Sequence, residues 1–210
     1  MRLAYFADPL CSWCYGFGPE LSALLDRLPG TEVRLVMGGL RAYNRETMSA
    51  AFKDMLRGHW DHVAEASGLA FSPKILERDD FIYDTEPPCR AVVTARAIDP
   101  SRALAMFKAI QAAFYGEGRD MTRAGALADA AADCGYAFDE FVTRLASDAM
   151  REATRADFAM SQSLGVAGFP TLAVEEGGEL FLVTSGYVRA DVLEQRIAEI
   201  QRRSAGNASR

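Results

Sequence analysis

Two cysteines separated by two residues are the part of this sequence best suited to chemistry. Cys11 and Cys14 enclose Ser12 and Trp13, and they lie between a short apolar segment and an amphipathic one. Because residues three apart share one face of a helix, the two sulfurs can form a disulfide with little backbone movement. The spacing predicts a dithiol–disulfide couple in which Cys11 attacks and Cys14, one turn deeper, resolves the mixed disulfide.

The position of this pair at the start of a predicted helix favours a reactive thiol. Free N–H groups and the partial positive charge of a helix N-terminus stabilise a thiolate, and they can lower a cysteine pKa to about 3.5–7.5. We expect Cys11 to be the more exposed and more reactive thiol. Asp8, Glu20 and Asp26 are candidate proton acceptors for Cys14, although we expect each of them to be a surface charge.

The first forty residues predict the elements that position this pair. Residues 3–7 form an apolar run that is long enough for a buried strand. Apolar side chains from Phe17 to Leu28 recur at helical spacing, and residues 31–37 then alternate between polar and apolar types. Two strands that flank one helix predict a right-handed βαβ unit with parallel strands.

The middle of the chain, residues 44–164, is rich in alanine and predicts a series of helices. Thr85 is expected to cap one of them, because prolines follow it in what would be the first helical turn. The last part of the chain returns to β structure. Two apolar segments there flank the glycines at 177 and 178, which predicts a hairpin followed by a final helix.

These elements predict an α/β protein with one discontinuous domain. Residues 1–40 and 166–203 are expected to form the βαβ and ββα halves of that domain. An all-helical insertion of residues 41–165 is expected to interrupt it, and residues 204–210 are expected to form a flexible tail.

The strand, the cysteine pair and the following helix together resemble the thioredoxin superfamily. Pro19 lies five residues after Cys14, where thioredoxin-like proteins have a helix-kinking proline. Phe169-Pro170-Thr171 precedes the hairpin, where the family holds a cis-proline that faces the cysteines. The resemblance implies a thioredoxin-like fold in which these three residues form an active-site loop.

The helical insertion resembles that of the DsbA-like branch, and the segment from Asp8 to Phe17 is similar to FrnE-like protein disulfide isomerases. The periplasmic oxidases of this branch have proline and histidine between their cysteines, whereas this chain has Ser12 and Trp13. The resemblance therefore implies a thiol–disulfide oxidoreductase or isomerase without strongly oxidising behaviour. It also implies no bound cofactor, glutathione or the thioredoxin system as redox partner, and disulfide-containing or unfolded proteins or low-molecular-weight thiols as substrates.

Two other functions fit parts of the pattern. Kappa-class glutathione transferases and hydroxychromene-carboxylate isomerases share the interrupted fold, but they typically have serine at the position of Cys11. A glutathione-dependent isomerase or transferase is therefore the main alternative. A zinc site could combine the cysteine pair with His59 and His62, but the strand-to-helix context favours redox chemistry and we expect no metal.

Further aromatic and thiol side chains are candidates for a role near the pair. Trp13 and Tyr15, together with Phe169, are expected to shape an apolar surface for substrates. Cys89 is either a small core residue or an accessory thiol near the active face. Cys134 precedes a glycine at a predicted helix end and is expected to be structural.

Composition and charge exclude several classes of protein. The 210 residues carry a net charge of −6, which disfavours nucleic acid or an anionic membrane as the main partner because phosphate binding needs a basic surface. Four cysteines are too few for a disulfide-scaffolded secreted module, and no segment predicts a signal peptide or a membrane span. We expect a cytoplasmic protein, and the sequence leaves monomer and dimer equally open.

Overall fold

The computed structural model describes residues 1–208 of the chain and the side chains of residues 1–204. Its four-stranded sheet has the spatial order β2-β1-β3-β4. The strands are β1 (Arg2–Ala7), β2 (Glu32–Met37), β3 (Thr171–Glu176) and β4 (Glu179–Ser185). β1 runs parallel to β2 and antiparallel to β3, and β3 pairs antiparallel with β4. The predicted parallel pair and the predicted hairpin are both confirmed.

Helices cover the sheet and fill the connection between β2 and β3. α1 (Ser12–Arg27) connects β1 to β2, and α9 (Ala190–Ala208) follows β4. The connection between β2 and β3 contains α2 (Ala50–Ser67), α3 (Lys74–Glu77), α4 (Glu86–Ile98), α5 (Ala103–Gln111), α6 (Ala124–Asp133), α7 (Phe138–Leu145) and α8 (Asp148–Ser163). The chain is therefore an α/β protein with a helical insertion, as the sequence predicts. None of the helices within residues 1–208 is long and apolar enough to cross a membrane.

The alternation of side chains along β1 divides the core between the two faces of the sheet. Leu3, Tyr5 and Ala7 belong to the large core cluster that also contains the buried residues of α1 and α9. Ala4 and Phe6 belong to a smaller cluster on the opposite face. Because both faces are covered, β1 is buried from its second residue onward and its sequence is continuously apolar.

A largely buried ion pair fixes the helical insertion against the sheet. Arg96 on α4 forms two hydrogen bonds of 2.8 Å with the carboxylate of Asp157 on α8. Asp157 also accepts a hydrogen bond from the backbone N–H of Met37 (2.9 Å), and Arg96 donates to the carbonyl of Leu35. The last residues of β2 are thereby joined to two helices of the insertion.

Thr85 is the N-cap residue of α4, as the sequence predicts, but it does not cap the helix through its side chain. Its side chain makes no capping hydrogen bond to α4, because its backbone is not extended (φ −93°, ψ −4°). Its hydroxyl oxygen instead accepts a hydrogen bond from the backbone N–H of Arg41 (3.1 Å). Asp84 accepts from the N–H of Glu86 (2.9 Å) at the start of the helix.

At the end of the chain, α9 continues through Ala208. The predicted tail comprises residues 204–210. Residues 204–208 belong to this helix, and residues 209 and 210 lie outside the described part of the chain. The division into a discontinuous domain and an inserted domain, with its boundaries, remains a prediction.

Candidate active site

The cysteine pair lies where β1 ends and α1 begins. Cys11 is the cap residue of α1, with an extended backbone (φ −92°, ψ 119°). Its N–H donates to the carbonyl of Asp8 (3.0 Å), and its carbonyl accepts from the N–H of Tyr15 (3.1 Å). Cys14 lies in the first turn of the helix, and both side chains are free thiols. Both cysteines thus lie at a helix N-terminus, where backbone N–H groups have no partner within the helix.

The two cysteine residues differ in their exposure to solvent. Cys11 is 6% exposed, and its thiol donates a hydrogen bond to the carbonyl of Phe169 (3.6 Å). Cys14 is 0% exposed. The expected order of exposure is therefore the observed one, although the loop at Phe169 lies against Cys11. Cys11 is nevertheless the more accessible thiol of the pair.

The environment of Cys14 opposes its ionisation. Burial raises the pKa of Cys14 well above its ordinary value, and the neighbouring Cys11 thiol acts in the same direction. A hydrogen bond with the backbone of Asp8 opposes these effects. The raised pKa keeps the proton on Cys14 at neutral pH, which suits a thiol that reacts second.

The loop before β3 faces Cys11. The peptide bond between Phe169 and Pro170 is cis, and Pro170 is buried. The hydroxyl of Thr171 donates a hydrogen bond to the carbonyl of Gly168 (2.8 Å), which closes the loop. The structure thus brings the loop that the family resemblance singled out next to the cysteine pair.

A glycine at the end of β2 makes room for this loop. The ring of Phe169 packs directly on Gly38, and a Cβ at Gly38 would lie 1.9 Å from the nearest ring atom. Any larger residue at Gly38 would displace the ring. Gly38 directly follows the strand predicted at residues 31–37, and its contact with Phe169 gives the structural reason for a glycine there.

The aromatic side chains next to the cysteines pack against the insertion and the loop after β4. Trp13 contacts His59 of α2 edge-on, with 5.9 Å between ring centroids, and lies 5.8 Å from Tyr187. Tyr15 stacks on Tyr115 at 5.0 Å. Both Trp13 and Tyr15 are half-buried, so part of each ring faces solvent. Their role in a substrate surface remains a prediction.

Asp8 is a buried carboxylate next to the pair. Its Oδ1 accepts from the N–H of Leu10 (2.8 Å), its Oδ2 accepts from the N–H of Leu40 (2.7 Å), and the Cys89 thiol donates to Oδ2 (3.5 Å). Burial raises the pKa of Asp8, while hydrogen bonds from Thr85 and the two backbone groups oppose that rise. The expectation of a surface charge is wrong, because β1 carries the chain into the interior before Asp8 is reached.

The two remaining cysteines occupy different surroundings. Cys89 on α4 is fully buried, and burial and the charge of Asp8 raise its pKa well above the ordinary value. Its accessory role remains a prediction, and in the fold it lies beside Asp8. Cys134 is half-buried at the end of α6, and its N–H donates to the carbonyl of Ala130 (3.1 Å).

Two tyrosines of the insertion also belong to the site. The hydroxyl of Tyr83 donates to the carbonyl of Leu10, immediately before Cys11, and lies 3.3 Å from the hydroxyl of Tyr115. Tyr115 is positioned by a π-helical turn, Ala112–Gly116, that follows α5. Neither tyrosine was found from the sequence, because a contact between residues 73 positions apart leaves no local pattern.

The other candidate proton acceptors have different roles. Glu20 accepts hydrogen bonds from the hydroxyl of Tyr187 (3.1 Å) and from the N–H of Ala190 (2.7 Å), so it caps the start of α9. Asp26 is exposed near the end of α1. Of the acidic residues considered from the sequence, Asp8 is therefore the one with a direct hydrogen bond to the segment that carries the pair.

The histidines lie on α2. His59 contacts Trp13, and burial lowers the pKa of His59, with His62 acting in the same direction. Across the described residues, no group of three or more His, Cys, Asp or Glu side chains is arranged to hold a metal ion.

Comparison with known proteins gives the family. The model of the DSBA-like thioredoxin domain matches residues 2–198. A candidate protein disulfide isomerase from Nitrosomonas europaea is 32% identical; the match covers 96% of this chain and 98% of that one, with a TM-score of 0.90. The cytosolic disulfide reductase DsbM from Pseudomonas aeruginosa is 30% identical, with 97% and 99% of the two chains covered and a TM-score of 0.79. No curated protein matches this chain at the level of sequence.

A 2-hydroxychromene-2-carboxylate isomerase shares the architecture at lower identity. It is 18% identical, with a TM-score of 0.66 over 100% of this chain and 98% of its own. That likeness shows the fold alone. The family match over nearly the whole chain, the two relatives at 30% identity or more and the cysteine pair at the start of α1 agree with one another. This chain therefore belongs to the DsbA-like family of thioredoxin-fold oxidoreductases.

Proposed function

We propose that this chain is a thiol–disulfide oxidoreductase whose redox couple is Cys11 and Cys14. The Cys11 thiolate attacks one sulfur of a substrate disulfide, and the other substrate sulfur leaves as a thiolate. Cys14 then loses its proton and attacks the Cys11 sulfur, which breaks the mixed disulfide and releases the second substrate thiol. The substrate has gained two electrons, and the pair has been oxidised to a disulfide.

Unequal exposure of the two cysteine residues in one helical turn is the observation that carries this proposal. Cys11 keeps a small exposed surface beside the carbonyl of Phe169, whereas Cys14 has none. An external disulfide can therefore reach Cys11 first. Cys14 is already held nearby, so the second step is intramolecular and needs no further encounter.

We propose low-molecular-weight thiols such as glutathione, or the thioredoxin system, as electron donors to the oxidised pair. The relative from Pseudomonas aeruginosa is described as a cytosolic disulfide reductase, and a structure of it with glutathione superimposes on this chain with a TM-score of 0.78. By analogy we propose the same compartment for this chain. Disulfide-containing or unfolded proteins are the proposed substrates, because the half-buried rings of Trp13, Tyr15 and Phe169 offer an apolar surface with little sequence specificity.

Trapping of the mixed disulfide tests the proposal. Cys14→Ser should accumulate a mixed disulfide at Cys11 after exposure to glutathione disulfide or to a disulfide-containing protein. Cys11→Ser should form none and should lose turnover, and Cys134→Ser should behave like the unchanged chain. Non-reducing gels and mass spectrometry measure these outcomes. If Cys11→Ser stays active while Cys14→Ser traps nothing, the proposed mechanism is wrong.

The same variants distinguish the proposed redox function from that of a glutathione-dependent isomerase or transferase. In that reaction the group at residue 11 activates glutathione without being oxidised. Cys11→Ser would then retain activity with a small electrophile, because a serine hydroxyl can take the same role, and Cys14→Ser would change little. That pair of results would replace the proposed redox function with the alternative one.

A further inference from the structure

Tyr5, in the middle of β1, has a buried hydroxyl without a partner. The residue is 1% exposed, and its hydroxyl makes no hydrogen bond with any group in the part of the chain that the structure describes. An unpaired buried polar group costs free energy, and phenylalanine would fill almost the same space without that cost. Such a group in a native structure calls for an explanation beyond packing.

The orientation of Tyr5 places this hydroxyl on the side of the sheet where the reactive pair lies. Alternation along β1 turns Tyr5 toward α1, and Tyr5 shares the large core cluster with Cys11 and Cys14. Its ring centroid lies 5.9 Å from that of Phe17, which follows Cys14 by one helical turn. The hydroxyl and the Cys14 sulfur therefore belong to the same buried core.

We infer that the hydroxyl of Tyr5 donates a hydrogen bond to the Cys14 sulfur whenever that sulfur carries negative charge. The inference rests on the proposed oxidoreductase function, because only that cycle makes Cys14 a thiolate. Cys14 is 0% exposed, so water cannot stabilise its charge. An internal donor that lacks a competing partner can do so at once, since it gives up no other hydrogen bond.

The titration behaviour of Tyr5 agrees with a role as donor. Burial raises the pKa of Tyr5 well above its ordinary value, and the charges of Cys14 and Cys11 act in the same direction. The phenol therefore keeps its proton at neutral pH. This influence of the thiols on the phenol agrees with the proximity that the shared core and the packing of Tyr5 on Phe17 indicate.

The step in which Tyr5 acts is the reduction of the oxidised pair. The thiolate of glutathione bonds to the Cys11 sulfur, the Cys11–Cys14 bond breaks, and its electron pair leaves on Cys14. Tyr5 donates to that thiolate until it takes up a proton. A second glutathione then attacks the glutathione sulfur of the mixed disulfide, which releases Cys11 as a thiolate and forms glutathione disulfide. In this step Tyr5 stabilises the leaving thiolate directly and is a catalytic residue.

The rate of this reduction tests the inference. The oxidised chain and oxidised Tyr5→Phe are mixed with glutathione in a stopped-flow instrument, and the fluorescence of Trp13, which lies between the cysteines, reports the reaction. We expect Tyr5→Phe to react about tenfold more slowly, because a hydrogen bond to a charged leaving group is lost. Its melting temperature should be equal or higher, because an unpaired buried hydroxyl has been removed.

A matched variant separates this effect from the loss of any buried tyrosine hydroxyl. Tyr136 is also buried, but its hydroxyl donates to the carbonyl of Asp99 (3.2 Å) within the insertion. Tyr136→Phe should lower the melting temperature and leave the reduction rate unchanged, which is the opposite result. Equal reduction rates for the unchanged chain and Tyr5→Phe would overturn the inference.

The Cys14→Ser background distinguishes this failure from a failure of the proposed function. In that background Cys14 cannot ionise, so adding Tyr5→Phe should not change the rate at which Cys11 forms a mixed disulfide with glutathione disulfide. A slower rate would show that Tyr5 acts on Cys11 and would overturn the inference. If Cys14→Ser forms no mixed disulfide at all, the proposed function itself fails.

Discussion

Two regions of the molecule contribute different groups to one site. The first, called the β half here, consists of the four strands with α1 and α9, and the second is the helical insertion, α2 to α8. The β half supplies the reacting sulfurs and the Phe169 carbonyl, and it does so from two short segments of sequence. The insertion supplies groups that hold those segments, such as Tyr83 on the Leu10 carbonyl and Cys89 on the Asp8 carboxylate. The reacting groups therefore come from short segments of sequence, whereas their positions depend on packing between residues far apart in the sequence.

The ion pair of Arg96 and Asp157, which lies within the insertion and hydrogen-bonds to β2, should have the largest effect on stability. Arg96→Met leaves the Asp157 carboxylate largely buried without its guanidinium partner, so we expect the free energy of unfolding to fall by about 3 kcal/mol. Urea unfolding measures this loss. The exposed pair of Arg57 and Asp54 provides the control, because Arg57→Met should change the free energy of unfolding by less than about 0.5 kcal/mol.

Arg96→Met should still form the mixed disulfide at the usual rate under conditions where it is folded. A folded Arg96→Met that had lost this reactivity would show that the insertion takes part in the chemistry as well as in positioning.

Tyr83 should have a smaller effect on stability and a measurable effect on reactivity. Tyr83→Phe removes the hydrogen bond to the Leu10 carbonyl, which should cost about 1 kcal/mol of unfolding free energy. Because Leu10 precedes Cys11, the freed segment should also slow mixed-disulfide formation in a Cys14→Ser background. The rate of mixed-disulfide formation is measured by mass spectrometry of samples quenched over time. A stability loss without any change in that rate would limit Tyr83 to a structural role.

Asp8 should make stability depend on pH in the direction opposite to that of an ion-paired carboxylate. Burial raises the pKa of Asp8, so the folded chain holds this proton more tightly than the unfolded chain does. The resulting stabilisation is complete below the ordinary Asp pKa of about 3.9 and is lost as pH rises through the raised folded value.

Asp8→Asn should lack this pH dependence. The unchanged chain should lose stability relative to Asp8→Asn as pH rises from about 3.9 through the raised folded pKa of Asp8. Above that range the difference in unfolding free energy between the two should be constant. Urea titrations from acid to neutral pH measure the difference. A difference that stays constant throughout would mean that the pKa of Asp8 is the same in the folded and unfolded chains.

The parts of the fold and site that could be predicted are those with a local pattern. The parallel pair of β1 and β2 follows from two strands around one helix, and the hairpin follows from paired glycines. The spacing of Cys11 and Cys14 predicts their place at the start of a helix, and the family resemblance indicated the loop at Pro170. Each of these features lies within a few consecutive residues.

The features that could not be predicted depend on where the insertion and the loops pack. Asp8 is buried because it follows a strand whose two faces are both covered, and the hydroxyl oxygen of Thr85 accepts from the Arg41 N–H and makes no capping bond to α4. The partial cover over Cys11 comes from Phe169, which is 158 positions away in the sequence. No periodicity or spacing in the sequence indicates such contacts, so the residues around the cysteine pair could be identified only from the structure.

The relative accessibility of the thiols in the folded, reduced chain tests the central claim most directly. The chain is treated with a neutral alkylating agent such as iodoacetamide, samples are quenched over time, and each cysteine peptide is quantified by mass spectrometry. We predict that Cys11 is modified at least about tenfold faster than Cys14 or Cys89, and that this difference disappears in the unfolded chain. Modification of Cys14 as fast as Cys11 in the folded chain would contradict the assignment of Cys11 as the attacking thiol.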